Sequence, residues 1–543
     1  MASSPVPYRP SPEERDLYYF GLAGTPKLIA RTSCDPWIKP EREIGWRTAQ
    51  AHKRYATIGQ HDIVSKWSTT LVNRFIQSLR GLKWSFFVPI RIGLDEDKEQ
   101  VRNHPVILLI AVEENSLSWE EGILIASECR NTLQTSQIFD VEVEIQEGRC
   151  HDLAASAELE RLVDPTMSYN KEPNSILLPL LSFPGYPIAY SEDRRGEGTI
   201  GLHVKLHGDA SIYGLTCRHV VSADRAPKDH YNDPEESESQ SHVQGSVVTF
   251  QDCVDRIESF GRDLEAQIKR IGGQKQRWDD YYHFDETKQG LRPSQANLLR
   301  LERFAREAVY VNIIMEGLRE IENKNDRRIG HLAFHPPMEF STHKKGYLKD
   351  WALIKLDESK FVEGPKNTVF IGNLPRCRQV GMSLLADGIV DGFLSLKGEF
   401  PERDHDVNAS MIVGKMGAKT GLTFGIRNEV EAIIRKPSRD LGDLYAWKML
   451  IIPLEGDFSA PGDSGSCIFN EWGEVIGLLT SSNGEDFWPE DPGQKVSPNE
   501  AAQTNVNELG CKRTKGMDIT FADPIQWVFD DIEEFTSRKV ELV

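Results

Sequence analysis

The feature that most constrains this chain is a glycine-rich turn at 456–466, which reads GDFSAPGDSGS and precedes the apolar run Cys467–Phe469. Glycine adopts backbone conformations that other residues reach only with strain, so glycines on either side of Ser464 predict a tight turn. The apolar run behind the turn has the composition of a buried strand. The sequence therefore predicts that Ser464 lies on a sharp turn that leads into a strand.

Two segments upstream carry the residue types that a reactive serine needs. The stretch 212–221, IYGLTCRHVV, places His219 just after a predicted strand, and 350–356, DWALIKL, places Asp350 at the start of another. A serine hydroxyl is a poor nucleophile at neutral pH and needs an adjacent imidazole as base. The imidazole in turn needs a carboxylate, which fixes its tautomer and stabilises the imidazolium.

These three segments, in the chain order His219, Asp350, Ser464, resemble the trypsin/chymotrypsin-like serine proteases of the PA clan. The order differs from those of the subtilisins and the α/β-hydrolases. The resemblance implies a mainly β chymotrypsin-like double β-barrel. It also implies a serine endopeptidase that hydrolyses peptide bonds through a catalytic triad of His219, Asp350 and Ser464 and an acyl-enzyme intermediate.

The resemblance extends to oxyanion and substrate contacts. The oxyanion hole is expected at the backbone N–H groups of Gly462 and Ser464, because glycine at 462 permits the conformation that directs its N–H at the developing charge. The predicted substrate-binding residues are Phe458 and Ser459 at the base of the specificity pocket and Thr480, Ser481 and Ser482 on its wall. Since neither residue at the base is acidic, a preference for Arg or Lys is disfavoured.

Two departures from the family bear on activation and redox state. Extracellular relatives carry a bridged cysteine after the histidine, whereas here Val220 follows His219 and Cys217 precedes it. Trypsin relatives free an Ile-Val-Gly-Gly-like N-terminus that pairs with the aspartate before the serine. No such site precedes His219, so Asp463 is expected to have a different partner.

The length of the chain and the changes in its hydrophobic periodicity predict a multidomain protein. Strand-like and helix-like patterns at 84–145 predict a small β-β-α-β module, with a helix start at Ser118. Apolar residues at three- and four-residue steps predict an inserted α-helical hairpin, which accounts for the long separation of His219 from Asp350. The predicted divisions are a flexible leader at 1–44, an N-terminal α/β module at 45–165, a linker at 166–190, and a protease domain at 191–543 with the hairpin insertion at 251–328.

Composition limits the partners and the compartment. The net charge is −19, with 64 basic and 83 acidic side chains, which disfavours nucleic acids and anionic membranes. Eight cysteines without CxxC spacing and an N-terminus without an apolar signal region indicate an intracellular, cytoplasmic protein with reduced thiols. The expected partner is a protein or peptide substrate, and no cofactor and no metal are expected. A protein partner could bind the N-terminal module or the hairpin, whose aromatic tip at 278–285 is the candidate contact surface.

Two rival functions remain open from the sequence. The first is a catalytically silent protease fold that acts as an interaction module, although intact His, Asp and Ser residues argue against it. The second is a self-processing protease that cleaves its own chain near 166–190 or 484–514.

Overall fold

The structure, a computed structural model, describes most of the 543 residues. It is mainly β. Among the described residues, no helix is both long enough and apolar enough to cross a membrane. The described ranges are 7–39, 41–44, 47–94, 103–152, 183–190, 197–221, 241–244, 247–284, 295–322, 327–337, 339–341, 346–361, 364–371, 389–390, 393–398, 411–438, 442–483 and 517–543.

The N-terminal part forms a sheet covered by helices. Val106–Val112 is apolar and buried along its whole length, as expected for a central strand, and it lies between β5 and β7. Ser118 caps the long helix that follows, with Glu121 completing a capping box, so the predicted helix start is confirmed. The elements are β1 Leu28–Arg31, β2 Glu41–Ile44, β3 Arg47–Gln50, β4 Lys53–Ala56, β5 Trp84–Leu94, β6 Val106–Val112, β7 Glu142–Glu147 and β8 His151–Asp152, with α1 Pro12–Leu17, α2 Asp62–Lys66, a π-helical turn Trp67–Leu71, α3 Val72–Ser78 and α4 Trp119–Thr135.

Three of these elements, α1, β1 and β2, lie in the segment predicted to be a flexible leader. The helix α1 begins after the N-cap Ser11, whose side chain accepts from the Glu14 N–H. The strand β1 pairs antiparallel with β7 and therefore belongs to the module's sheet. The leader prediction missed these elements because short elements in Pro- and Ser-rich sequence owe their order to tertiary pairing.

The first barrel, residues 186–356, is a closed ring of antiparallel pairings. The strands β10 and β11 are separated by Gly201 alone and act as one bent strand, which pairs with β9 at one end and β12 at the other. The pairings β12–β15, β15–β14, β14–β13 and β13–β9 complete the ring. The strands are β9 Tyr186–Tyr190, β10 Glu197–Ile200, β11 Leu202–Leu206, β12 Ile212–Thr216, β13 Ser241–Gln244, β14 Arg328–Phe334 and β15 Ala352–Leu356.

In the described part of this barrel, three helices lie between strands. The short α5, Arg218–Val221, follows β12. The long helices α6, Val247–Phe284, and α7, Gln295–Glu320, lie between β13 and β14 and share an apolar core. The side chains of 278–284 at the end of α6, and all of residue 285, lie outside the described part, so the aromatic tip is not described. The strand β9 lies in the segment that the sequence predicted to be a linker.

The second barrel, residues 411–524, is a second closed ring. Its pairings run β19–β20, β20–β22, β22–β25, β25–β24, β24–β23 and β23–β19. A small sheet of β16 Thr368–Phe370, β17 Ile389–Val390 and β18 Phe393–Ser395 precedes it. The strands are β19 Met411–Gly417, β20 Gly421–Arg427, β21 Ala432–Ser438, β22 Gly442–Pro453, β23 Cys467–Asn470, β24 Val475–Ser482 and β25 Thr520–Pro524.

The remaining elements connect the parts. The hairpin β21–β22 extends beyond the second barrel, and β21 pairs with β5 of the N-terminal sheet. One buried apolar cluster runs through this junction, so the module and the second barrel share a core. After β25, the helix α8, Ile525–Thr536, leads to β26, Val540–Leu542, which pairs with β11 of the first barrel.

Candidate active site

The pairing of β12 with β15 places His219 beside Asp350. Thr216, the last residue of β12, pairs with Ala352, the first residue of β15. Strands that pair antiparallel bring the end of one to the start of the other, so the residues that follow β12 meet those that precede β15. His219 lies three residues after Thr216, and Asp350 lies two residues before Ala352, which puts both at the same end of the first barrel.

Ser464 belongs to the second barrel and lies on the turn between β22 and β23. This turn packs against the end of the first barrel that carries His219 and Asp350. The turn contacts β10: the Thr199 N–H donates to the Ser464 carbonyl over 2.7 Å, and the Thr199 hydroxyl donates to the Gly462 carbonyl over 2.9 Å. Gly462 has φ 105° and Gly465 has φ 90°, a region that favours glycine. The glycines of the motif are therefore required by the path of the backbone.

The three side chains that the sequence singled out form a continuous hydrogen-bonded chain. His219 Nδ1 lies 2.7 Å from Asp350 Oδ2, and His219 Nε2 lies 2.8 Å from Ser464 Oγ. The other carboxylate oxygen of Asp350 accepts from the His219 backbone N–H over 3.1 Å. Asp350 thus holds the histidine through both its ring and its backbone.

Asp350 determines the tautomer of the His219 imidazole. Ionised Asp350 only accepts hydrogen bonds, so the facing Nδ1 of His219 carries a proton. In the neutral ring Nε2 is then an acceptor, and it faces the Ser464 hydroxyl. The same hydroxyl lies 3.0 Å from the Thr480 carbonyl, so one proton is shared between two acceptors. When that proton is directed at Nε2, the arrangement is able to transfer it to the imidazole.

Two backbone N–H groups of the turn are available beside the serine. Among the described residues, neither the Gly462 N–H nor the Ser464 N–H donates to an acceptor in the structure's turn and loop hydrogen bonds. The N–H groups around them do: Asp463 donates to Ala460, and Gly465 donates to Leu479. Buried N–H groups are nearly always paired, so two adjacent unpaired donors are a candidate site for an oxygen anion.

Asp463, for which the sequence predicted an unidentified partner, is fully buried and paired with Lys415. Lys415, in β19, is also fully buried, and its Nζ lies 3.0 Å from Asp463 Oδ2 and also contacts the Thr420 hydroxyl. The other donors to the Asp463 carboxylate are the Thr420 hydroxyl at 2.6 Å and the backbone N–H groups of Lys419 at 2.9 Å, Ala460 at 3.0 Å and Thr420 at 3.2 Å.

This cluster secures the residue next to the nucleophile without a chain terminus. Burial lowers the pKa of Lys415, and the charge of Asp463 opposes that shift. Lys415 lies in the stretch that sequence reasoning assigned to glycine-rich barrel strands, and nothing local marked it as the partner. A lysine in a strand that is otherwise predicted to be buried is the signal that could have identified it.

The predicted pocket residues are not all placed as expected. The Phe458 side chain lies in the core of the second barrel and does not line the site. The Ser459 hydroxyl lies 2.7 Å from that of Thr520. The buried carboxyl of Asp518, which sequence reasoning missed, accepts from the Phe458 N–H over 3.4 Å. Burial and neighbouring Asp457 raise the pKa of Asp518 to about 7, so an acidic group does lie beside this loop.

The predicted wall residues lie on β24. Thr480 contacts the nucleophile through its carbonyl, as described above. On one edge of β24, Ser481 and Ser482 pair with β25. On the opposite edge the same two residues pair with β8 of the N-terminal part. Thr480 therefore contacts the nucleophile, and Ser481 and Ser482 follow it on the same strand, whereas the Phe458 side chain lies in the core of the second barrel.

The site also contains a thiol. Ligand atoms of Cys217, His219 and Asp350 lie within 4.8 Å of one another, the one such cluster of possible metal ligands found among the described residues. The Cys217 thiol donates to the Leu479 carbonyl over 3.2 Å. A metal bound here would have to replace the 2.7 Å bond between His219 and Asp350, so the observed geometry fits a proton-transfer chain better.

Comparisons with known proteins give weak similarity. No family model and no curated protein matches the sequence. A glutamic-acid-specific serine protease, described as using a histidine triad in substrate binding, is 11% identical over 66% of this chain and 100% of its own, with a TM-score of 0.28. A chymotrypsin from Cellulomonas bogoriensis is 12% identical over 39% of this chain and 76% of its own, with a TM-score of 0.20. Both are chymotrypsin-like serine proteases. At this level of overlap we base no functional argument on them.

Proposed function

We propose that this protein is a serine endopeptidase with a chymotrypsin-like double β-barrel, to which the N-terminal α/β module is joined. The observation that supports this function is the chain of short hydrogen bonds from Asp350 through His219 to Ser464. Nucleophile, base and orienting carboxylate lie within hydrogen-bond reach of one another, which is the geometric requirement for this chemistry. The substrates are proteins or peptides.

In the first half of the reaction, Ser464 Oγ attacks the carbonyl carbon of the scissile peptide bond as His219 Nε2 takes its proton. Asp350 stabilises the resulting imidazolium through Nδ1–H and itself stays ionised. His219 then gives the proton to the leaving amine, and the acyl group remains on Ser464. In the second half, water attacks the acyl carbon as His219 takes its proton. The bond from the acyl carbon to Ser464 Oγ then breaks, His219 returns the proton to Ser464 Oγ, and the acid product leaves.

The negative charge that develops on the substrate oxygen is stabilised by the N–H groups of Gly462 and Ser464. Both donors belong to a turn fixed by Thr199 and by the buried Asp463 cluster, so they need no reorganisation when the charge forms. Removing a single donor of this kind typically costs about 10²–10³ in kcat, which makes a preformed pair of donors the largest single contribution that the backbone makes here.

The proposed enzyme does not need a newly cut N-terminus to form its site. In trypsin relatives that terminus supplies a buried cation to the aspartate before the serine, and here Lys415 supplies a cation to Asp463. Lys415 is part of β19, so it is in place as soon as the second barrel folds. The chain as synthesised therefore carries a formed nucleophile turn.

The test is peptide hydrolysis. An unbiased peptide library incubated with the wild-type protein should give cleavage products, and Ser464→Ala should lower the rate by about 10⁴-fold or more, because the nucleophile is gone. The cleavage profile also reports the preferred residue before the scissile bond. Hydrolysis that persists at the wild-type rate in Ser464→Ala would contradict the proposal.

A further inference from the structure

The edge of β24 beside Ser464 is paired with the chain's own strand β8. Asp152 lies opposite Ser481 and His151 lies opposite Ser482, in antiparallel register. On its other edge β24 pairs with β25, so β8 takes the edge that the second barrel leaves open. An open strand edge binds extended peptides through its unpaired backbone groups.

This edge leads directly to the nucleophile. Thr480, the residue before Ser481, accepts from the Ser464 hydroxyl through its carbonyl. A peptide that pairs with residues 480–482 would therefore run beside Ser464. Because β8 is antiparallel to β24, its own direction carries the chain from Ser482 towards Ser481 and so towards the nucleophile.

From these observations we propose that the chain's own strand β8 occupies the edge of β24 at 480–482, along which a peptide substrate would pair, and so limits access to the site. This inference rests on the proposed peptidase function. It adds a regulatory property to that function: the catalytic side chains are formed, but an incoming peptide has to displace His151 and Asp152 before it can pair with β24.

The burial of the site agrees with an occupied edge. Ser464 and Thr480 are exposed by 1% or less, and Ser481 and Ser482 by 2% or less. An edge strand that was free for substrate would expose its backbone groups to water.

The occupant is held close by the chain that leads to it. Just before β8, the Gly148 N–H donates to the Val112 carbonyl over 2.8 Å, and the Gly148 carbonyl accepts from the Ser85 hydroxyl over 2.8 Å. These contacts fix the exit from β7 three residues before His151. The module is itself joined to the second barrel through β5 and β21. An occupant tethered by so short a segment competes with free substrate at an effective concentration in the millimolar range.

The double variant His151→Pro/Asp152→Pro tests this proposal. Proline has no N–H, so both residues lose the backbone donor with which they could pair with β24. With the occupant removed, KM for a peptide substrate should fall by about tenfold, the effect of losing one or two competing backbone hydrogen bonds, while kcat stays the same. Glu114→Pro, in an exposed turn of the same module, is the matched control and should leave KM at its wild-type value.

Two further readouts separate this proposal from the proposed function. A small fluorophosphonate does not need strand pairing and should label the wild type and the double variant at equal rates. Hydrogen exchange should show protected amides at 481–482 in the wild type and faster exchange in the double variant. Absence of labelling in both proteins would overturn the peptidase function, whereas the exchange data would still report the pairing.

Three results would overturn the inhibitory role of β8. One is an unchanged KM in a double variant whose amides at 481–482 have become exposed. Another is hydrogen exchange at 481–482 that is as fast in the wild type as in the double variant, which would mean that β8 does not occupy the edge. The third is cleavage of the wild-type chain at this segment that Ser464→Ala abolishes, since β8 would then be a substrate and not an inhibitor.

Discussion

At the scale of single residues, the sequence pointed to the contacts among His219, Asp350 and Ser464 but not to the partner of Asp463. The residue types at His219, Asp350 and Ser464 led to the expectation of acyl transfer, because that reaction needs a base, an orienting carboxylate and a nucleophile. Nothing in the local sequence identified Lys415 as the cation for Asp463, since the two residues are 48 positions apart. Asp518 escaped notice for the same reason: its carboxyl meets Phe458 across 60 positions.

The first prediction concerns the ion pair of Lys415 and Asp463. Lys415→Met keeps a side chain of similar length but leaves the Asp463 charge buried without its cation. Breaking a fully buried pair in this way typically costs about 3–5 kcal/mol, so the free energy of unfolding in urea should fall by about that amount. The fluorophosphonate labelling rate should fall at least tenfold, because the turn that carries Ser464 loses its anchor.

Lys419→Met is the matched control for this prediction. Lys419 is exposed and bonds Asp463 through its backbone N–H, which the substitution retains. Its free energy of unfolding should lie within about 0.5 kcal/mol of the wild type. Equal stability of the Lys415→Met and Lys419→Met variants would show that the buried pair does not hold the turn.

At the scale of elements, hydrophobic periodicity predicted the long or uniformly apolar segments and missed the short ones. The strand β6 and the helices α4 and α6 have patterns of their own. The strands β1 and β9 carry weak patterns, and they are strands because a neighbour pairs with them. The contact between β10 and the nucleophile turn likewise depends on Gly201, whose importance is visible only once the two barrels face each other.

The second prediction tests that contact. A Cβ on Gly201 would stand 2.6 Å from the Cys467 nitrogen and would also collide with the Gly465 carbonyl, neither of which belongs to a flexible side chain. Gly201→Ala should therefore lower the free energy of unfolding by about 1–3 kcal/mol and slow fluorophosphonate labelling.

A glycine in a helix provides the comparison of opposite sign. Gly272 lies within α6, and a Cβ there would meet nothing within 4 Å. Gly272→Ala should raise the free energy of unfolding by about 0.5–1 kcal/mol because alanine favours the helix, and labelling should not change. Stabilisation by both substitutions would refute the close approach at Gly201.

At the scale of the whole molecule, the two barrels and the N-terminal part are joined by pairings that no local pattern encodes. The pairing of β5 with β21 links positions about 350 residues apart, Phe87 with Ile433 and Phe86 with Ile434. The sequence therefore predicted separate units, whereas the module and the second barrel share one buried cluster. The helix α8 and the strand β26 return the end of the chain to the first barrel.

The third prediction concerns acid stability, through the buried His203 of the first barrel. Its Nε2 lies 3.1 Å from the Tyr186 hydroxyl, and its Nδ1 lies 3.2 Å from the Lys366 carbonyl. Burial lowers the pKa of His203 to about 4. In the unfolded chain the His203 imidazole protonates near pH 6.5. Its contribution to the free energy of unfolding is therefore fully present above that pH and is lost as the pH falls towards 4. The loss amounts to about 3 kcal/mol.

Urea unfolding at pH 7 and at pH 4.5 measures this effect. His203→Gln removes the titrating group, so the variant should lose less free energy of unfolding between the two pH values than the wild type does. His207→Gln, at an exposed position just after β11, is the control. It should show the same difference in free energy of unfolding between the two pH values as the wild type. The same pH dependence in His203→Gln and the wild type would rule out His203 as the source.

The central claim is that Ser464 is an activated nucleophile, and the most direct measurement is the site of covalent modification by a fluorophosphonate. Mass spectrometry of the digested wild-type protein should place one adduct on the peptide that contains Ser464. Ser127→Ala, at an exposed serine of α4, should be labelled like the wild type, and Ser464→Ala should not be labelled at all. Labelling that survives in Ser464→Ala, or a wild-type protein that stays unmodified, would contradict the account.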